Sequence, residues 1–287
     1  MQLTQRRLLP HERAFLSLGG AVTVALLLVA GPASVTTLEV GGGTLLLAAV
    51  VLALRSSTNP TIERVRLSAG CLAILWFYDA VYRIVRAFDS GTHDHALIAV
   101  DRALLGETPA RWLEGLATPW LTDLMCLAYL SYHVYLTAAF ADAIWRRPLD
   151  EARRFLAFVG TSFAVGFLGY LTFPCIGPAD AFPGIFDGSL PGGVVWLYTS
   201  TIVAEGSSLY DVFPSMHVAV TCVLLDHDWR WSRRRFWILL APSACMLVST
   251  LYLRYHYAVD LVAGVALYAA MRVWFLRWLR RTGSLAT

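Results

Sequence analysis

Apolar residues in this chain run in long stretches rather than in the short amphipathic periods of a soluble domain. Runs of about 17 to 25 apolar residues are long enough to cross a bilayer as helices. Eight such runs occur, at about 14–32, 39–54, 66–86, 119–140, 154–173, 214–229, 236–252 and 257–278, the second and sixth being short. They predict an all-α integral membrane protein with about eight transmembrane helices. Between the third and fourth runs lies HDHALIAVDRALLGETPARWLEGLATPW, in which Leu97, Ile98, Leu104, Leu105, Trp112 and Leu116 alternate with charges at roughly helical spacing. This predicts one or two amphipathic helices in the outer membrane interface, with a soluble cap helix as the alternative. The first run follows Arg6 and Arg7 and precedes small residues, so a signal peptide is a second reading of it. Its length, and the spans that follow, favour an uncleaved first span. No internal repeat, low-complexity tract or separate soluble domain is visible. The pattern divides the chain into 1–60, with two N-terminal spans, and 61–287, the main membrane domain.

Composition agrees with this pattern. Hydrophobic residues make up 57% of the 287 and charged residues 15%, against roughly 25% charged in soluble domains. All 23 basic residues are arginine. Placed on eight spans, 18 arginines fall at one set of helix ends and five, Arg83, Arg86, Arg102, Arg111 and Arg254, at the other. Cytoplasmic loops accumulate basic residues. A multi-pass protein of the cell membrane with both termini cytoplasmic is therefore expected. The net charge of +3 is too small to suggest nucleic acid. The five cysteines have no metal-type spacing and read as small core residues.

Three polar stretches then share the outer face: YLTFPCIGPAD (170–180), DVFPSMH (211–217) and LYLRYHYAVD (251–260). Pro214 suits the first turn of a helix, where its missing N–H costs nothing. The amides of Ser215, Met216 and His217 would then be open donors at a positive helix end, an arrangement that binds phosphate, with the Ser215 hydroxyl beside them. An ordinary helix start with a surface histidine is the alternative. His256 and Asp260 are four apart and share one helical face. A carboxylate on one imidazole nitrogen sets the tautomer and frees the other nitrogen to attack or to take a proton. Arg254 offers a planar guanidinium to phosphate oxygens, or else snorkels beside a structural His–Asp pair. Together these groups suit phosphoryl transfer through a phosphohistidine, with no cofactor and no metal ligand set.

PSMH, followed 39 residues from histidine to histidine by RYHYAVD, resembles the second and third signatures of the type 2 phosphatidic acid phosphatase superfamily. DVFPSMHVA, YHYAVDLVAG and FPCIGP are similar to its inositol phosphorylceramide synthase and sphingomyelin synthase branch. The resemblance spans about 94–270, with motifs at 173–178, 213–217 and 254–260. It implies a six-helix catalytic core and metal-independent transfer of phosphate to an alcohol or to water. His256 would be the nucleophile, Asp260 its orienter and His217 the acid–base, with Ser215 and Arg254 on the phosphate. The phosphatases also carry a Lys several residues before Arg-Pro. This chain has no Lys, its only Arg-Pro (Arg147-Pro148) lies on the cytoplasmic side, and Ala179-Asp180 follows FPCIGP. On topology alone, Arg83 and Arg86 are candidates for the missing clamp. The expected function is a lipid phosphotransferase acting between a lipid phosphate donor and a hydroxyl acceptor in the membrane. A lipid or polyprenyl phosphate phosphatase is the alternative, and a non-catalytic lipid-binding or transport protein a third reading.

Overall fold

The computed structural model describes residues 7–282, so Arg6 lies outside the described residues. It contains twelve α-helices: α1 (Pro10–Val29), α2 (Val35–Leu54), α3 (Pro60–Phe88), α4 (Asp94–Leu105), α5 (Pro109–Glu114), α6 (Pro119–Trp145), α7 (Leu149–Thr172), α8 (Pro178–Ala181), α9 (Val194–Gly206), α10 (Met216–Trp231), α11 (Arg233–Tyr252) and α12 (Ala258–Arg281). The chain is an all-α integral membrane protein. Proline opens α1, α3, α5, α6 and α8, where its fixed φ is already helical.

Seven of these helices, α1, α2, α3, α6, α7, α11 and α12, are long and apolar enough to cross a membrane. The sequence predicts eight. The difference is α10, which has only 16 residues and carries Asp226, His227, Asp228 and Arg230 in its second half. At 1.5 Å per residue it is about 24 Å long, shorter than the roughly 30 Å hydrocarbon layer. A second difference lies in the long stretch after α7, which contains α9. At 13 residues α9 is too short to register as a span, and its start is capped from a distance: Gly193 and Trp196 donate to Asp123 Oδ1 at 3.0 and 2.9 Å.

The structure divides into two compact units, one of Met1–Ser90, Ala138–Leu168 and Tyr268–Thr287, the other of Gly91–Thr137 and Gly169–Leu267. In the first, α1, α2 and α3 pack against one another, and the rings of Phe15 (α1), Phe77 (α3) and Phe167 (α7) cluster with centroids 5.7 to 6.1 Å apart. Beside this core, Arg66 is fully buried. It donates to both Glu12 oxygens at 2.8 and 2.7 Å and reaches Glu63 at 3.5 Å, and Glu63 also accepts from Arg153 at 2.9 Å. Removing one member of such a cluster leaves an uncompensated buried charge, which costs about 3–5 kcal/mol. Arg66→Met is therefore expected to lower the thermal unfolding temperature in detergent markedly, and adding Glu12→Gln should recover part of the loss. Wild-type unfolding of Arg66→Met would show that the cluster does not hold this unit together.

Candidate active site

The groups that the two histidine motifs bring together all lie in the second unit. The sequence places Pro214 in the first turn of a helix; in the structure α10 begins at Met216, Ser215 is its N-cap, and Pro214 stands outside it. The cause is a neighbouring segment. Ser215 N–H donates to the Asp260 carbonyl at 3.2 Å, which ties residue 215 to α12, and helical bonding starts with Ala219 N–H on the Ser215 carbonyl. Of the three amides expected to be open, that of Ser215 is taken, while those of Met216 and His217 sit in the first turn. The Ser215 hydroxyl is buried without a hydrogen-bond partner. α12 comes this close because position 264 has no side chain. A Cβ on Gly264 would lie 2.5 Å from the Ser215 carbonyl oxygen and 2.9 Å from Val218 Cβ.

This approach aligns three side chains. His256 Nδ1 lies 3.1 Å from Asp260 Oδ2, and His256 Nε2 lies 3.1 Å from His217 Nδ1. Asp260 Oδ2 also accepts from the Tyr257 amide at 3.1 Å. A carboxylate acceptor on Nδ1 holds the proton there and leaves Nε2 as the lone-pair nitrogen. His217 must then donate from Nδ1. The ring of His217 is boxed by Tyr129, Tyr132 and His133 of α6, with centroids 5.1, 4.8 and 6.3 Å away. His256 and Asp260 are almost wholly inaccessible, at 2% and 0% exposure. Burial opposes a charge on His256, yet the Asp260 carboxylate, by charge and hydrogen bond, together with Asp211, holds its pKa above the ordinary histidine value.

A cavity of about 300 Å³ opens onto both histidines. Its walls include Tyr129, Tyr255, Asp180 and Asp211, with apolar Ile176, Val203, Leu209 and Val212, and no arginine among the described residues. Arg254 is engaged elsewhere. It adopts a left-handed φ of 65°, donates to Glu114 Oε1 at 2.9 Å and to the Gly188 carbonyl at 2.7 Å, and stacks over Phe186. Glu114 in turn pairs with Arg111, which also holds Asp187 at 3.0 and 3.1 Å. Arg83 and Arg86 are on α3 in the other unit, where Arg83 pairs with Glu39 at 2.9 Å and Asp79 at 2.7 Å. The structure thus assembles Ser215, His217, His256 and Asp260, gives Arg254 its own carboxylate partner, and pairs Arg83 with two carboxylates of the first unit. Among the described residues, no group of three or more His, Cys, Asp or Glu is placed to hold a metal ion.

Sequence reasoning missed several neighbours. Glu114 is 140 residues from Arg254 along the chain, and no local pattern joins them. Asp94 and Asp101 were legible in principle. They sit at the i and i+7 positions of α4 on the same face as Leu97 and Ile98, and all four are buried, whereas Leu104 is 74% exposed. The amphipathic helix is present, but its buried face carries the carboxylates.

The sign of the His256 shift can be measured. In histidine NMR titrations the His256 midpoint is expected above about 6.5, the ordinary value. In Asp260→Asn, where burial is opposed only by the weaker influence of Asp211, it should fall below that value. A midpoint unchanged in Asp260→Asn would mean that the carboxylate does not act on this ring.

No curated protein and no solved structure matches the chain. The sequence profile described as the PAP2 superfamily does, over residues 95–274. That region contains every member of the histidine cluster and its cavity. Because it also covers well over half of the chain, the protein belongs to the PAP2 superfamily.

Proposed function

We propose that this protein is a membrane lipid phosphotransferase that moves a phosphate-containing headgroup from a lipid donor to a hydroxyl acceptor through a phosphohistidine at His256. Superfamily membership supports a phosphatase or phosphotransferase activity in general. The observation that carries the finer reading is the continuous Asp260–His256–His217 hydrogen-bonded chain facing one cavity. Nucleophile, orienter and proton carrier stand within hydrogen-bond reach of one another, as covalent catalysis requires.

In the first half-reaction the substrate phosphate displaces His217 from Nε2 of His256. The lone pair of Nε2 attacks phosphorus, the P–O bond to the donor lipid breaks, and His217, entering the step as an imidazolium, gives one of its two ring protons to the leaving oxygen and is left neutral. Asp260 stabilises the charge that develops on the imidazole. In the second half-reaction His217 takes the proton of the acceptor hydroxyl, the acceptor oxygen attacks phosphorus, and the P–N bond breaks to restore His256. Ser215 Oγ, buried and unpartnered, and the first-turn amides of α10 are suited to hold phosphate oxygens. Arg254 would reach the phosphate by exchanging Glu114 for it. Asp180 and Asp211 give the cavity two acceptors for headgroup hydroxyl or ammonium donors. Apolar walls at Ile176, Val203, Leu209 and Val212 favour a lipid acceptor over water.

The test is incubation of purified protein with a panel of phospholipids and lipid alcohols, scoring new phosphorylated lipids against free phosphate by mass spectrometry. Wild type should form a new lipid product without added metal. His256→Ala should abolish turnover, and Asp260→Asn should lower it by several orders of magnitude, since residues acting as a unit fail together. Free phosphate as the only product would favour the hydrolase, and activity in His256→Ala would remove the nucleophile assignment.

The distribution of arginines supports an outward-facing site; in this reading α10, though shorter than the hydrocarbon layer, makes the eighth crossing where the bilayer thins around it. In a variant lacking the five native cysteines, Ser207→Cys should react with an impermeant thiol reagent added outside intact cells, and Arg234→Cys should not. Reversed labelling would place the site on the cytoplasmic side.

A further inference from the structure

We propose that α4 is the positioning element of this site, with Asp94 and Asp101 orienting His256 by holding the residues that follow it and the FPCIGP loop that lies against the residue before it. The inference rests on the reading of His256 as the nucleophile. An amphipathic helix lying on a membrane would turn its carboxylates outward to water. In α4 the two aspartates turn inward, each only 1% exposed, seven residues and so two turns apart on one face. Burying a carboxylate is expensive unless donors surround it, and most of the donors here belong to the segment that follows the histidine and to the FPCIGP loop.

Asp101 Oδ2 accepts from the Ala258 amide at 3.0 Å and from the Thr108 hydroxyl at 3.0 Å, and Oδ1 accepts from the Val259 amide at 3.0 Å. Ala258 and Val259 are the first residues of α12, whose opening amides have no partner within their own helix. Asp101 thus acts as an N-cap supplied by another helix, a carboxylate at the positive end of the dipole. It decides where α12 starts, and Asp260 lies two residues into that first turn. Asp94 ties the residue after the histidine to the FPCIGP loop. Its Oδ1 accepts from the Tyr257 hydroxyl at 2.9 Å and the Gly177 amide at 2.9 Å, and its Oδ2 from the Ile176 amide at 3.1 Å. Gly177 has φ of 87°, and a Cβ there would meet the Tyr255 carbonyl oxygen at 2.5 Å, so the FPCIGP loop lies directly against the histidine segment. His256 itself makes no bond to α4. Tyr257, Ala258 and Val259, which follow it, do, and the 3.1 Å spacings to Asp260 and His217 depend on where these residues and the FPCIGP loop stand.

A positioning role has a kinetic signature. Displacing a reacting group slows the chemical step, at a cost of about 10- to 100-fold for shifts near 1 Å, while substrate contacts made elsewhere persist. Asp101→Ala and Asp94→Ala are expected to lower kcat, and the single-turnover rate of phosphate transfer to His256, by at least about tenfold. Their KM should stay within about threefold of wild type, and thermal unfolding in detergent should show folded protein. Asp101→Asn keeps one acceptor and should fall between wild type and Asp101→Ala; it takes the reading if Asp101→Ala does not fold. Leu104→Ala, on the exposed face of α4, should leave both constants unchanged. Wild-type kcat in folded Asp101 and Asp94 variants, or a loss confined to KM, would overturn the positioning role if His256→Ala is inactive. Full activity in His256→Ala would instead remove the nucleophile on which the inference rests.

Discussion

A buried imidazole beside a buried carboxylate is costly unless the two share a hydrogen bond, and the second unit is organised around one such pair, His256 and Asp260. The carboxylate fixes which nitrogen carries the proton. The free nitrogen then faces His217, and His217 faces a cavity. Each supporting feature follows from keeping the pair aligned. Gly264 lets α12 approach the start of α10, and the Ser215 amide bonds to the Asp260 carbonyl across that approach. The Tyr257 amide adds a second donor to the Asp260 oxygen that accepts from His256.

The same requirement recurs at other buried charges of the described residues. Arg66 is wrapped by Glu12 and Glu63 in the first unit, and Asp228 accepts from Tyr135 at 2.7 Å and from Arg235 in the second. Arg254 is held by Glu114 and the Gly188 carbonyl. A phosphate that recruits Arg254 must therefore compete with a carboxylate already in place, and the energy for that exchange has to come from phosphate oxygens fitting the guanidinium better than Glu114 does.

How much of this was legible in the sequence depended on the range of each interaction. Long apolar runs announced the all-α membrane fold, because hydropathy is a local property. His256 and Asp260 were readable as a pair from their spacing of four, and Ser215 and His217 from their place at a helix start. The register of that start was not: Pro214 lies outside α10 because Asp260, 45 residues on, captures the Ser215 amide. The inward face of α4 was misjudged because its leucines dominate the pattern, while the donors that reward burial of Asp94 and Asp101 lie some 80 and 160 residues away. Glu39 as a partner of Arg83, and Glu114 as the partner of Arg254, were likewise set by folding rather than by neighbouring sequence.

The central claim is that phosphate passes through a covalent bond to Nε2 of His256. It is tested most directly by mixing the protein with labelled donor lipid, quenching in alkali, where a phosphohistidine survives, and mapping the label by peptide mass spectrometry and phosphorus NMR. The account predicts an acid-labile phosphate on the peptide containing His256, bonded at Nε2, and absent from His256→Ala. Label on another residue, or turnover with no labelled enzyme at any time point, would contradict it.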